Sequence, residues 1–202
     1  MDALAEGARR AGAVLAIDEV YRDVDPARPV GTAHTRHPDV VTLSSVTKSY
    51  GFGGLRSGWL IAPAAIQEAC HRVRLYLSVD PSGPATGIAI AILGAADRIL
   101  SWAKPILEEN RQALAAALYD RPSGFVLPSG ASVGSTAFVY RPGGADTYDE
   151  TQAWRTSKRV SVVPGRWFGA PSGVRIGLGR PPAAFQRAIE AWLQALREPV
   201  RT

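Results

Sequence analysis

The chain has 202 residues, 46% of them hydrophobic, enough to bury a sizeable core in one or two domains. Its 23 basic side chains exceed 18 acidic ones for a net charge of +5, but they are spread singly rather than gathered into a stripe, which argues against nucleic acid as a partner. The longest small-apolar run, Ala85 to Ala96, falls short of the ~20 residues a membrane span needs and ends in Asp97 and Arg98, which argues against a membrane protein.

The opening stretch MDALAEGARRAG is polar, lacks the apolar core of a secretory signal, and spaces Leu4, Ala8 and Ala11 as an amphipathic helix does. VLAID (Val14 to Asp18) and VVTLSS (Val40 to Ser45) are short apolar runs that turn polar at their C-terminal ends, the pattern of buried parallel strands. SGWLIAP makes a third strand, stopped by Pro63, and Ile66, Cys70, Val73 and Leu77 continue at helical spacing. Cys70 is the one cysteine, so no internal disulfide can form; a reducing, cytoplasmic location is expected. SVDPSGP is a hinge, and Ala85 to Ala96 reads as a buried helix. Pro105 is expected to open a long helix with Ile106, Leu114 and Leu118 on one face. From Phe125 onward the short strands in STAFVY, VSVVPG and VRIGLG, and a last helix from Pro181 with Phe185, Ile189, Trp192 and Leu196, describe a smaller α+β domain.

Open α/β sheets bind ligands outside the carboxyl edge of their strands, and Asp18 and Lys48 both fall at or just beyond such an edge. In DEVY, Asp18 and Tyr21 are three residues apart and reach one site if the chain turns there, while Glu19 and Val20 point elsewhere. Singly, a strand-end aspartate is usually a turn residue and a lysine in a glycine-rich loop is usually solvated. Lys48 is nonetheless one of three lysines in an arginine-rich chain, set inside SSVTKSYGFGGLRSG. Arginine stays protonated and cannot supply a free amine, whereas a lysine in a cationic, partly desolvated site can. HTRH offers His34 and His37 without acidic or cysteine companions at a metal-binding spacing, so no metal is expected, and GFGG lacks the context of a nucleotide phosphate loop.

These residues carry a resemblance. DEVY, SSVTKSYGFGGLRSGW, VVPGRWFG and VRIGLG, in this order from about Leu4 to Leu196, resemble the C-terminal half of a class I/II, fold type I, pyridoxal phosphate (PLP)-dependent aminotransferase. The eight-residue step from Lys48 to Arg56 matches the family spacing. The resemblance implies an α/β fold: residues 1–97 as the C-terminal part of a large PLP-binding domain with a mostly parallel sheet, and residues 98–202 as an interdomain helix and a small α+β domain. It implies that pyridoxal 5'-phosphate is the cofactor and that Lys48 is its Schiff-base lysine and the proton shuttle.

By the same resemblance Asp18 pairs with the pyridine nitrogen, Tyr21 donates to the phenolic oxygen, and Ser45 and Arg56 bind the phosphate, with Thr47 as an assistant. Arg175 forks onto the substrate α-carboxylate, and Arg166 is its understudy. The reaction implied moves an amino group from an amino acid to a 2-oxo acid. A PLP-dependent lyase or cyclase on the same fold, and a non-catalytic fragment that needs a complementary chain, are the alternatives. The family's glycine-rich phosphate loop, the aromatic that stacks on the ring and the asparagine that partners Tyr21 lie upstream of the part matched here. The expectation is therefore a chain truncated at its N-terminus relative to the family, which dimerises with itself if the missing part is supplied and otherwise exposes apolar strand edges.

Overall fold

Two stretches rich in β-branched and aliphatic residues build the first sheet. Strand β1 (Ala16–Asp18) lies parallel to β2 (Val41–Ser45), with Asp18 opposite Leu43. Strand β3 (Gly58–Ile61) returns antiparallel to β2 and stops before Pro63, whose ring offers no N–H to a ladder. The computed structural model describes residues 1–25, 31–78, 80–120, 123–128 and 133–197, and the chain divides into two compact units, Met1–Ser101 and Trp102–Thr202.

In the first unit, helix α1 (Asp2–Arg10) and the single turn α2 (Ala33–Arg36) cover one face of this sheet. Ala5, Ala33 and Val40 are fully buried there, with Leu15 and Ile17 packed against them. The turn is pinned by Thr32, whose side chain accepts from Thr35 N while Thr35 reaches back to Thr32 N. Burial on both faces, expected for these strands, is found only at the start of β2, where Val41 and Thr42 are both buried. Alternation puts Leu15 and Ile17 inward, while Val14 is 64% and Leu43 39% exposed. A strand is buried twice only where both faces are covered.

The same reasoning explains one helix as found and corrects another. Helix α3 (Ala64–Leu77) has no buried side chain, and α4 (Gly83–Gly94) buries only Ala89 and Ile92. Ile90 of α4, a helix expected to be buried, is 66% exposed. An all-round apolar helix becomes a core helix when other elements surround it, and among the described residues none does. Of the expected hinge, Val79 lies outside the described residues; Ser82 caps α4 by accepting from Ala85 N.

Helix α5 (Ala96–Asp120) contains Pro105 in its interior rather than at its start. The ring removes one backbone donor and costs about 3 kcal/mol in a helix interior, but good helix formers on both sides carry the helix through. In the second unit, β4 (Thr136–Tyr140), β6 (Gly173–Gly177) and β5 (Val163–Pro164) form an antiparallel sheet in the order β4-β6-β5. Only Val163 and Pro164 of the expected VSVVPG strand pair. Helices α6 (Tyr148–Lys158) and α7 (Pro182–Arg197) complete the unit. Helix α7 starts one residue later than expected, because Pro181 is its cap: its carbonyl accepts from Ala184 N and Phe185 N.

The core of this unit joins Leu114 of α5, Phe125, Val139, Trp154, Val174, Leu178 and the inward stripe Phe185, Ile189, Trp192 and Leu193 of α7. Leu196 is partly buried against it. Asn110, fully buried on α5, donates to Leu178 O at 2.6 Å and Arg180 O at 2.7 Å. These bonds satisfy carbonyls where β6 hands over to α7, so the link between them is held by a side chain rather than by a ladder.

Candidate active site

Because β1 and β2 run parallel, their carboxyl ends open on one edge, and the loops that leave them are tied together. Glu19 N donates to Leu43 O at 2.8 Å, Ser49 Oγ to Val20 O at 2.7 Å and Tyr50 Oη to Asp23 Oδ2 at 2.8 Å. Ser49 and Tyr50 are buried, which fixes the backbone on the C-terminal side of Lys48; Val46, also buried, fixes the other side. Lys48 itself is exposed, and no carboxylate pairs with it among the described residues. The backbone at Lys48 is therefore fixed by its neighbours while its side chain stands exposed.

Asp18 is the last residue of β1. Its Oδ1 accepts from Val20 N at 3.0 Å, a turn-forming bond, and its other carboxylate oxygen has no partner among the described residues. The turn thus uses one carboxylate oxygen and leaves the other open. Glu19 is committed elsewhere, accepting from Ala33 N at 2.7 Å and pairing with Arg22 at 3.4 Å. Tyr21 is half-buried and begins the 3-10 turn Arg22–Val24, three residues beyond Asp18 on the same loop.

Ser45 ends β2 opposite Gly58 of β3, and Val46 N donates to Ser57 O at 3.3 Å, so the segment from Ser45 to Gly58 closes into a loop carrying Lys48 and Arg56. Ser45 Oγ accepts from Thr47 N at 3.2 Å. Arg56 follows the 3-10 turn Gly53–Leu55 with φ 52° and ψ 36°, the left-handed region that favours glycine. A non-glycine residue there costs on the order of 1 kcal/mol, and persists where its side chain has another use. Arg56→Gly is accordingly expected to raise stability by a few tenths to about 1 kcal/mol in urea unfolding while weakening capture of a phosphate-bearing ligand. An unchanged affinity for pyridoxal phosphate would remove Arg56 from the site.

Asp18, Tyr21, Ser45, Lys48 and Arg56 therefore share one end of the first sheet. Arg175 belongs to the second unit. It sits on β6 opposite Phe138 of β4, its guanidinium 4.6 Å over the Phe168 ring, with no acidic partner among the described residues. Arg166 differs: its Nε and Nη2 donate to Asp146 Oδ2 at 2.8 Å and 2.5 Å, and its guanidinium stacks 4.3 Å over Tyr148. For Asp146, partial desolvation pulls the carboxyl pKa upward, but the Arg166 bond, the Tyr148 N–H and the Arg166 charge outweigh it and hold the group below the usual range. The lacing residues Ser49 and Tyr50, and the Arg166–Asp146 pair twenty residues apart, had no periodic signal in the sequence that marked them.

Among the described residues no three His, Cys, Asp or Glu side chains are grouped to hold a metal ion, and no single helix is long and apolar enough to cross a membrane. An α/β unit with a lysine-bearing loop at its carboxyl edge, followed by a small α+β unit, has the architecture of fold type I PLP-dependent proteins. The sequence matches the family aminotransferase class I and II over residues 1–191, and the chain belongs to that family.

It is 33% identical to an aromatic amino acid aminotransferase of Rhodococcus opacus over 187 residues, covering 88% of this chain and 48% of that protein. It is 33% identical to one of Mycobacterium tuberculosis over 184 residues, covering 89% and 48%. A PLP-dependent aminotransferase from Streptococcus suis superposes with a TM-score of 0.87 at 26% identity, covering 96% of this chain and 51% of that one. The PLP-dependent cyclase OrfR superposes with a TM-score of 0.86 at 24% identity, covering 97% and 53%, a likeness of fold. The chain spans about half the length of the curated relatives it matches.

Proposed function

We propose that this chain carries the lysine-bearing part of a PLP-dependent aminotransferase that moves an amino group between an amino acid and a 2-oxo acid. The observation that carries the reading is the unpaired Lys48, held between buried neighbours on the strand edge that also bears Asp18, Tyr21, Ser45 and Arg56. Residues 1–97 serve as the C-terminal part of the cofactor-binding domain and residues 98–202 as the interdomain helix and small domain. The donor set fits the cofactor: an amine for its aldehyde, an acceptor oxygen of Asp18 for its ring N–H, and a hydroxyl and a guanidinium for its phosphate.

Pyridoxal 5'-phosphate, when bound, supplies an electron sink next to the substrate Cα. Lys48 would hold it through its Nζ amine, and that amine would take and return the Cα proton of the substrate. Asp18 would keep the ring nitrogen protonated, Tyr21 Oη would donate to the phenolic oxygen, and Ser45 Oγ and Arg56 would hold the phosphate, Arg56 by charge-assisted bonds. Arg175 rather than Arg166 binds the α-carboxylate, because Arg166 is already paired with Asp146 through Nε and Nη2 and Arg175 has no acidic partner among the described residues. A cytoplasmic homodimer is part of the proposal.

The relatives named for aromatic amino acids make phenylalanine, tyrosine and tryptophan the first donors to test, with 2-oxoglutarate as acceptor. Formation of glutamate only when both substrates are present is the expected result. Release of ammonia and a 2-oxo acid without an acceptor would replace the transferase by the lyase alternative. Arg175→Lys is expected to raise KM for the amino acid about 10- to 100-fold, since a point charge replaces a bidentate fork. The exposed apolar faces of α3 and α4 favour a second reading, in which a complementary polypeptide is required. A preparation that never captures the cofactor alone, and does so once a complementary half is added, would establish it.

A further inference from the structure

Arg175 occupies a built seat. Three residues from three elements of the second unit make it: Phe168 beneath the guanidinium, Phe138 edge-on to Phe168 with ring centroids 6.0 Å apart and planes at 77°, and Gly173 beneath Phe138 on the strand that carries Arg175 itself. Phe138 faces Arg175 directly across the β4–β6 pair, and Gly173, two residues before Arg175, lies on the same face of β6. A Cβ at Gly173 would stand 2.5 Å from Phe138 Cζ and 2.9 Å from Val139 O, so only glycine lets the Phe138 ring lie there. Phe138 in turn limits where the Phe168 ring can go.

We infer that Phe168 is a positioning residue for the carboxylate fork of Arg175, with Phe138 and Gly173 as its support; this rests on the assignment of Arg175 to the substrate carboxylate proposed above. Arginine side chains lose rotamer freedom when they are held, and a bidentate bond needs the guanidinium plane fixed. A ring stacked on one face of the guanidinium limits rotation about the last side-chain bonds and leaves the N–H edge open. Because Arg175 has no acidic neighbour to align it among the described residues, the aromatic face is the group that does so. A carboxylate arriving at that edge then meets a fork already in plane, and less freedom is lost on binding.

The test uses the intact chain and 3-phenylpropionate, a carboxylate with an aromatic side chain and no amine to react. The Arg175 Nε–H resonance, assigned by its loss in Arg175→Lys, is expected upfield of free arginine because the Phe168 ring shields it. In Phe168→Leu it is expected to return to the free position, and the Kd for 3-phenylpropionate read from this resonance to weaken about two- to fivefold. Phe168→Tyr keeps the stacking face and is expected to restore both. Equal Kd values in wild type and Phe168→Leu, equal weakening in Phe168→Tyr, or an Arg175 resonance that the carboxylate does not move would each overturn the inference.

Phe168 is 44% exposed, so its replacement leaves the core intact. Should Phe168→Leu fail to fold, Phe168→Trp decides, with an unchanged Kd expected and a weakened one fatal. Covalent capture of pyridoxal phosphate at Lys48 is read separately and is expected to be the same in Phe168→Leu as in wild type. Its absence from wild type and every variant, also after a complementary half is added, overturns the proposed function, while the carboxylate titration still decides the role of Phe168.

Discussion

Lys48→Ala is expected to abolish covalent capture of pyridoxal phosphate and to lower any amino-group transfer by at least about 10²- to 10⁴-fold, the range that a positioned proton-transfer group contributes. The measurement is direct: wild-type protein incubated with the cofactor turns yellow, borohydride bleaches the colour and leaves a mass increment on the peptide containing Lys48. Lys104→Ala and Lys158→Ala are expected to behave as wild type, because neither residue lies on the strand edge that carries Asp18 and Ser45. The reason for expecting so large a loss is the absence of a substitute: the two other lysines are remote in sequence, and arginine cannot provide a free amine. A mass increment at another lysine, or capture that survives in Lys48→Ala, would sink the assignment.

The second large effect concerns stability. Phe185 is 1% exposed and packs in the core of the second unit with Ile189 and Trp192 of the same helix. Phe185→Ala is expected to cost about 3–5 kcal/mol, the loss of an aromatic transfer term plus the cavity left behind. It also lines an open cavity of about 550 Å³ together with Ile176, Ile189 and Trp192, so water can enter the vacated space. The loss is therefore expected at the lower end of that range. A change in the urea midpoint equivalent to less than ~1 kcal/mol would mean that α7 is not docked through this residue.

The effect of such a change on Arg175 is indirect but traceable. Leu178, next to the end of β6, is fully buried against the same core, and Asn110 holds the carbonyls of Leu178 and Arg180. Loosening α7 therefore loosens the strand that carries Arg175, whereas the bonds tying Lys48 to the loop after β1 all lie within the first unit. Covalent capture and carboxylate binding are separable measurements for this reason.

Much of the candidate site was readable in the linear chain. DEVY, SSVTKSYGFGGLRSG and VRIGLG mark strand ends, a lysine in a glycine-rich loop and an arginine on a strand, all of which depend on local composition and period. The helix with Phe185, Ile189 and Trp192 and the stop of β3 before Pro63 are equally local, set by a 3.6-residue stripe and by a missing donor. The interior position of Pro105 was not readable, because a proline marks a helix start as readily as an interruption that flanking helix formers overcome.

What the sequence by itself determined is the set of groups available: one lysine eight residues before an arginine in a glycine-rich stretch, an aspartate at the end of an apolar run, and the family to which the chain belongs. The tertiary structure decided how those groups are used. It spends Arg166 on Asp146 and leaves Arg175 on an aromatic face, it splits the work of Asp18 between a turn and an open oxygen, and it leaves α3 and α4 largely exposed. Pairing between residues tens of positions apart, and burial by elements elsewhere in the chain, are properties of packing. No local pattern encodes them, because the free energy of a contact depends on what else arrives at the same place.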